Sequence, residues 1–259
     1  MRIRRGLGSP YRRWQSLRFA LTRDREALVH FLSRRLSLSR LQRLKLVRAF
    51  MHVTQHVRGY HSLAEMLVVC GAILERDGQP GLTVVECGAA KGSSTAKLSL
   101  ATAQAGGRLL VFDSFKGIPD NDEQHRNLDG RQVAFRKGAF TGRLKAVQRV
   151  VQAYGAPQVC TFSKGWFEDT LRDFQTPIDV VLLDVDLLSS TRTCLEALYP
   201  QLRPGGVIFT QDGHLEAIVA LLSDEAFWSD MGVPRPKIEG LGQDKLLMIP
   251  GSAAASPRT

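Results

Sequence analysis

Glu86 and Asp113 stand 27 positions apart, each closing an apolar run, and the first is followed by the small-residue turn Gly88-Ala89-Ala90-Lys91-Gly92. An acid and a glycine turn at one strand tip, with a second acid at the next tip, make a seat for a nucleoside. Glycine lets the backbone approach the ligand, helix N-terminal N–H groups point at it, and a carboxylate accepts from ribose hydroxyls. The turn is not G-x-G-x-x-G, and Lys91-Gly92-Ser93 is not the Gly-Lys-Ser/Thr of a phosphate loop. Glu86 ahead of the glycine suits a positively charged ligand better than a pyrophosphate, and S-adenosylmethionine joins an ammonium and a sulfonium to a ribose. Taken alone the turn leaves a dinucleotide open, and a tight strand-to-helix connection calls for glycine in any case.

Farther along, Asp184 ends the run Val180-Val181-Leu182-Leu183 with Asp186 just beyond, and Gln211-Asp212-Gly213-His214 follows the apolar run 207–210. Neighbouring parallel strands would bring these tips to one sheet edge. Asp184, Asp186 and Asp212 can converge there as oxygen donors for a hard divalent ion such as Mg²⁺. Each acid by itself could instead cap a helix, Asp186 ahead of Ser189 and Ser190, Asp212 ahead of the next helical run. His214 is a candidate general base near neutral pH. His52, His56 and His61 crowd with Tyr60 into 51–61, which reads as a loop able to reach a ligand; their spacing fits no metal motif, and surface chemistry is the plainer reading.

These side chains need a scaffold, and the hydrophobic pattern supplies one. Strands at 83–86, 108–112, 158–162, 178–183, 207–210 and 245–249 alternate with helices at 93–104, 142–154, 166–173, 189–202 and 215–222. That alternation predicts an α/β, doubly wound, mostly parallel sheet covered on both faces. Ser93, Ser94 and Thr95 are placed to cap the first of those helices. The polar stretch 116–137 is long for a connection and reads as a lid or a solvent loop. Upstream, Leu28, Phe31, Leu32, Leu36, Leu41, Leu44, Val47 and Phe50 recur at three- and four-residue steps, predicting two amphipathic helices parted near 37–39, then a helix at 63–74.

The chain has 259 residues and a net charge of +10, but residues 1–50 hold fourteen Lys and Arg against two acids while the remainder carries twenty-one against twenty-three. The basic charge therefore belongs to an N-terminal arm, for an anionic substrate, a membrane surface, nucleic acid, or a solvated face. No aromatic interleaving or RNA-binding motif accompanies it. An Arg-rich, acid-poor start resembles a mitochondrial transit peptide, yet the helical pattern runs on unbroken. There is no apolar run of about 18 residues, the length a membrane-spanning helix needs. Cys70, Cys87, Cys160 and Cys194 are scattered among apolar neighbours, as expected of a reducing, cytoplasmic setting.

In order along the chain, Glu86-Cys87-Gly88, Val111-Phe112-Asp113-Ser114-Phe115-Lys116-Gly117-Ile118-Pro119, Lys164-Gly165-Trp166-Phe167-Glu168-Asp169-Thr170-Leu171, Leu183-Asp184-Val185-Asp186 with Ser190-Thr191, and Leu198-Tyr199-Pro200-Gln201-Leu202-Arg203-Pro204-Gly205-Gly206 resemble the macrocin O-methyltransferase family over 83–214. The resemblance implies a seven-stranded, Rossmann-like class I methyltransferase fold at 61–250; charge and pattern outside it give a basic helical arm at 1–60 and a loose tail at 251–259. It implies S-adenosyl-L-methionine held at Glu86, Gly88, Ala89, Ser94, Asp113, Ser114, Ser163 and Asp184. It further implies Mg²⁺ on Asp184, Asp186 and Asp212, with Asp184 and Asp212 catalytic; without a metal, His214 or one of the upstream histidines is the catalytic base to expect. The acceptor would be a sugar or polyol hydroxyl of a small molecule. The family pattern ends in two consecutive acids, and here the first is Gln211, which offers a carbonyl oxygen but no charge. Other readings are a nucleic-acid methyltransferase using the arm, a non-catalytic S-adenosylmethionine-binding protein, and an arm that pairs two copies of the chain.

Overall fold

The structure, a computed structural model, describes residues 24–251. The first 23 residues of the basic arm, and the tail beyond Gly251, lie outside the described residues. The chain forms α1 (Arg25–Ser33), α2 (Arg40–His56), α3 (Leu63–Leu74), β1 (Thr83–Cys87), α4 (Ser93–Gln104), β2 (Arg108–Asp113), β3 (His125–Arg126), β4 (Gln132–Val133), α5 (Leu144–Tyr154) and β5 (Cys160–Lys164). It continues through α6 (Phe167–Thr170), β6 (Ile178–Leu183), α7 (Leu188–Leu198), β7 (Leu202–Thr210), α8 (Glu216–Ser223), α9 (Glu225–Asp230) and β8 (Leu247–Pro250).

The main sheet has the order β5-β2-β1-β6-β7-β8, parallel except for β8. Among the described residues it has six strands rather than seven; two further two-residue strands, β3 and β4, pair only with each other. Successive strand residues face opposite sides. Val84, Val180 and Leu182 therefore join the layer with α1 to α4, while Val85, Cys87, Val181 and Leu183 join the layer with α7 to α9. Glu86 shares the parity of Val84 and is driven under α4. The order places the tips of β1, β2 and β6 side by side, as the tip bonds show: Gly88 N–H donates to Phe112 O at 3.0 Å and Asp184 N–H to Cys87 O at 3.0 Å.

The two upstream helices form as expected, and Ser39 starts α2 with a capping box closed by Gln42. The stretch 51–61 is not all loop. Val47, Phe50, Val53 and Val57 continue one buried stripe, so α2 runs to His56, and the loop is confined to the residues around Gly59 before Ser62 and Glu65 cap α3. Phe31, Leu46, Val47 and Phe50 are buried in the same core as β1 and β6, which uses the apolar faces of α1 and α2 within the chain. Arg43 ties them, its Nη1 donating to Phe31 O at 3.1 Å and Arg34 O at 2.6 Å. At α4, Ser93 is already helical and the N-cap is Gly92 at φ +82°, so the serines do not cap it.

Candidate active site

At the sheet edge lie two adjoining cavities. The first, of about 230 Å³, runs over the glycine turn and is lined by Gly88, Asp113, Ser114, Trp166, Asp184 and Asp186 among others. Asp113 anchors the turn: one carboxylate oxygen accepts from Ala89 N–H at 2.7 Å and Ala90 N–H at 3.3 Å, the other from Phe115 N–H at 2.6 Å. A carboxylate has about four acceptor positions, so capacity for a ribose hydroxyl remains. Burial raises the pKa of Asp113, and those three amides offset part of the rise. Of the sequence candidates, Gly88, Asp113, Ser114 and Asp184 line this cavity; Glu86, Ala89, Ser94 and Ser163 do not. Glu86, Ala89 and Ser94 are buried behind the turn, and Ser163 is paired in β5 with Phe112. Trp166, approached by the Lys116 ammonium at 5.8 Å from the ring centre, is a lining residue that only the motif, and no chemical argument, had marked.

The second cavity, of about 260 Å³, shares Ala90, Phe140, Asp184 and Asp186 with the first. Its remaining walls are Tyr60, Asn127, Val133, Phe135, Asp212, His214 and Lys245. Between the two sit the aspartates, with an oxygen from each of Asp184, Asp186 and Asp212 lying within 4.8 Å of the others. Neither Asp186 nor Asp212 caps a helix with its side chain. Asp212 instead accepts from the N–H groups of Val185 at 3.3 Å and Asp186 at 3.1 Å. That clamp holds Asp186 at φ +62°, a left-handed conformation that Asp tolerates better than most residues. Burial raises the pKa of all three, and mutual repulsion adds to the rise at Asp186 and Asp212. Hard oxygen donors of like charge gathered this closely fit a divalent cation. Gln211 is buried beside them with neither amide atom hydrogen-bonded.

The histidines separate. His56 stacks on Tyr154 of α5 and His52 meets the same ring edge-on, away from the cavities, whereas His61 Nε2 lies 3.4 Å from Asp184. Burial, with Lys97 and Lys245 nearby, lowers the His61 pKa to about 3, so it is neutral. His214 is also held down, by burial first and Lys245 second, and its Nδ1 has no hydrogen-bond partner.

The stretch 116–137 is neither an open lid nor a free loop: it supplies Asn127, Val133 and Phe135 to the second cavity and is pinned at both sides. Leu128 N–H donates to His214 O at 3.0 Å. Glu123 accepts from the N–H groups of Leu188 at 2.8 Å and Ser189 at 3.1 Å, capping α7 from 65 residues upstream. Glu123→Ala should therefore cost about 1 kcal/mol and loosen the wall of the second cavity. Thermal melts check this; an unchanged melting temperature would show that Glu123 does not hold that wall.

The family model of macrocin-O-methyltransferase (TylF) matches residues 51–238. The chain belongs to this family. The methyltransferase is 31% identical over 183 residues to the 8-demethyl-8-(2,3-dimethoxy-alpha-L-rhamnosyl)-tetracenomycin-C 4'-O-methyltransferase of Streptomyces olivaceus, covering 68% of this chain and 69% of that protein. It is 35% identical over 107 residues to the demethyldecarbamoylnovobiocin O-methyltransferase of Streptomyces niveus, covering 39% and 40% respectively. Its fold matches the O-methyltransferase NovP with a TM-score of 0.60, at 21% identity over 75% of this chain and 83% of that one. The calicheamicin methyltransferase CalS11 shares the fold with a TM-score of 0.55, at 16% identity over 83% and 95%. Family membership makes the protein an S-adenosylmethionine-dependent O-methyltransferase.

In the methyltransferase, Glu86 is fully buried with both oxygens lacking a hydrogen bond. Burial lifts its pKa from the ordinary 4.5 to about 8, against the nearby hydroxyls of Ser94 and Thr95, which lower it. Between those pH values the folded, ligand-free protein keeps a proton that the unfolded chain has lost. Stability therefore falls as pH rises from about 5 to 8, and the raised aspartates steepen the fall. Glu86→Gln should flatten the profile by up to about 1.4 kcal/mol per pH unit, read from urea midpoints at several pH values; an unchanged slope would contradict it.

Proposed function

We propose that the enzyme methylates a hydroxyl of a sugar carried by a small-molecule natural product. The observation that carries this is the pair of cavities meeting at Asp184 and Asp186, one over the glycine turn and one walled by aromatic rings. Tyr60 and Phe140 meet edge to face at 5.0 Å, a stiff apolar wall of the kind that packs against a sugar ring. The rhamnosyl substrate in the name of the Streptomyces olivaceus relative points the same way.

In this reading S-adenosylmethionine lies in the first cavity, its ribose toward Asp113 and its methionine end toward Gly88. The methyl group then faces the second cavity. The acceptor hydroxyl attacks it opposite the sulfur, the C–O bond forming as the C–S bond breaks and the hydroxyl proton leaving. His214, which lines the second cavity and whose pKa burial lowers, takes that proton. Asp184, Asp186 and Asp212 would hold Mg²⁺, which when bound supplies a Lewis acid that lowers the hydroxyl pKa. Positioning by the pinned 116–137 segment contributes the approach geometry. A cytoplasmic enzyme fits this role, and the exposed Leu41 and Leu44 of α2 are where a second copy would dock, which gel filtration reads.

The deciding assay is S-adenosylhomocysteine release with three acceptors: a rhamnosylated aromatic polyketide, its aglycone, and a transfer RNA. Turnover of the glycoside alone is expected. Turnover of the aglycone or the RNA instead would overturn the sugar assignment.

A further inference from the structure

Lys245 is the one residue of the second cavity's wall that brings a positive side chain to the aspartates. It lies between α9 and β8, and its backbone is fixed against the tip that carries Asp212, because Gly213 N–H donates to Lys245 O at 3.0 Å. The ammonium donates to Tyr60 O at 3.3 Å. Among the described residues it forms no ion pair with a carboxylate, so it acts on the cluster through space. Its field is nevertheless felt by Asp184, Asp186 and Asp212, lowering each, and by His61 and His214, lowering both. Glu65 on α3 acts in the opposite sense on Asp184 and on both histidines. Next to Asp212 in the chain, the position where a further acid could stand is the uncharged, buried Gln211. The cluster thus combines three carboxylates with one resident cation.

We propose that Lys245 is a built-in counter-cation of the Asp184–Asp186–Asp212 cluster, which sets how weakly a divalent ion is held there and carries part of its charge-neutralising role. This rests on reading the cluster as the place where the acceptor hydroxyl is activated. The side chain is anchored at its base by the Gly213 bond and at its tip by Tyr60, so the charge is placed rather than drifting in solvent. It touches no described carboxylate, so it leaves their oxygens open to a metal or to an acceptor. Lys245 is in this sense a positioning residue for charge, one that acts through the aspartates.

The test is a Mn²⁺ titration, followed by electron paramagnetic resonance, of the full-length protein and its Lys245→Met and Lys245→Arg variants. Removing one charge near a partly buried cluster should tighten Mn²⁺ about tenfold in Lys245→Met, while Lys245→Arg stays within about twofold. Circular dichroism melts show that both variants are folded. Equal affinities in all three proteins, or tighter binding in Lys245→Arg equal to that in Lys245→Met, would overturn the proposal. A second readout is the residual methyl transfer in EDTA. It should be measurable in the parent and fall at least tenfold in Lys245→Met, with Mn²⁺ restoring it; an equal EDTA sensitivity of parent and variant counts against the proposal. Should no sugar acceptor be turned over by any protein while the Mn²⁺ affinities differ as stated, the charge role stands and the acceptor assignment fails.

Discussion

Asp212→Asn is expected to lower kcat by about 10²–10³ while leaving S-adenosylmethionine affinity within about threefold. Asp212 lines the second cavity and not the first. Its side chain does two things at once: it adds negative charge to the cluster, and it accepts the N–H groups of Val185 and Asp186. Asn keeps the shape and one acceptor oxygen, so the clamp on Asp186 survives in part, but the charge is gone. A cation donor is lost, and the field that orients the reacting hydroxyl weakens. Calorimetric titration with S-adenosylhomocysteine separates binding from turnover. Unchanged kcat would remove Asp212 from the chemistry, and lost cofactor binding would show that it acts by supporting the turn.

Gly88→Ala is the second large effect. Gly88 has φ +91°, and a Cβ built on it would lie 2.0 Å from the backbone oxygen of Asp184. No side-chain rotation relieves a clash between backbone atoms, so the tips of β1 and β6 must separate. The expected cost is on the order of 3 kcal/mol or more, together with loss of measurable S-adenosylmethionine binding. Since Asp184 sits at the displaced tip, the carboxylate cluster opens as well. Denaturant midpoints and cofactor titration read both effects; a stable variant with parental affinity would mean that the turn is looser than this geometry requires.

Local pattern carried much of the fold. Strand β6 and helices α3 and α4 fall where the apolar periods put them, because those periods record which face is buried. The acids at strand tips were legible for the same reason: a polar residue ending a fully buried run has to emerge at the sheet edge. The glycine turn was legible because few residues accept the backbone that a strand-to-helix reversal demands.

Other features carry no local signal. Lys245 meets Tyr60 from 185 residues away, and Glu123 caps α7 across 65, contacts that leave no period in the sequence. Three histidines in 51–61 look equivalent until α2 turns His52 and His56 toward Tyr154 and leaves His61 against Asp184. Glu86 reads as a ligand-facing acid, but the parity of β1 places it behind the turn, under α4. Sequence by itself determined the parallel sheet, its glycine turn and the acids at its edge, since each follows from a neighbour-scale rule. Only the tertiary structure decided which of those acids converge, which histidine and lysine join them, and where the wall of the second cavity stands, since those depend on how distant segments pack.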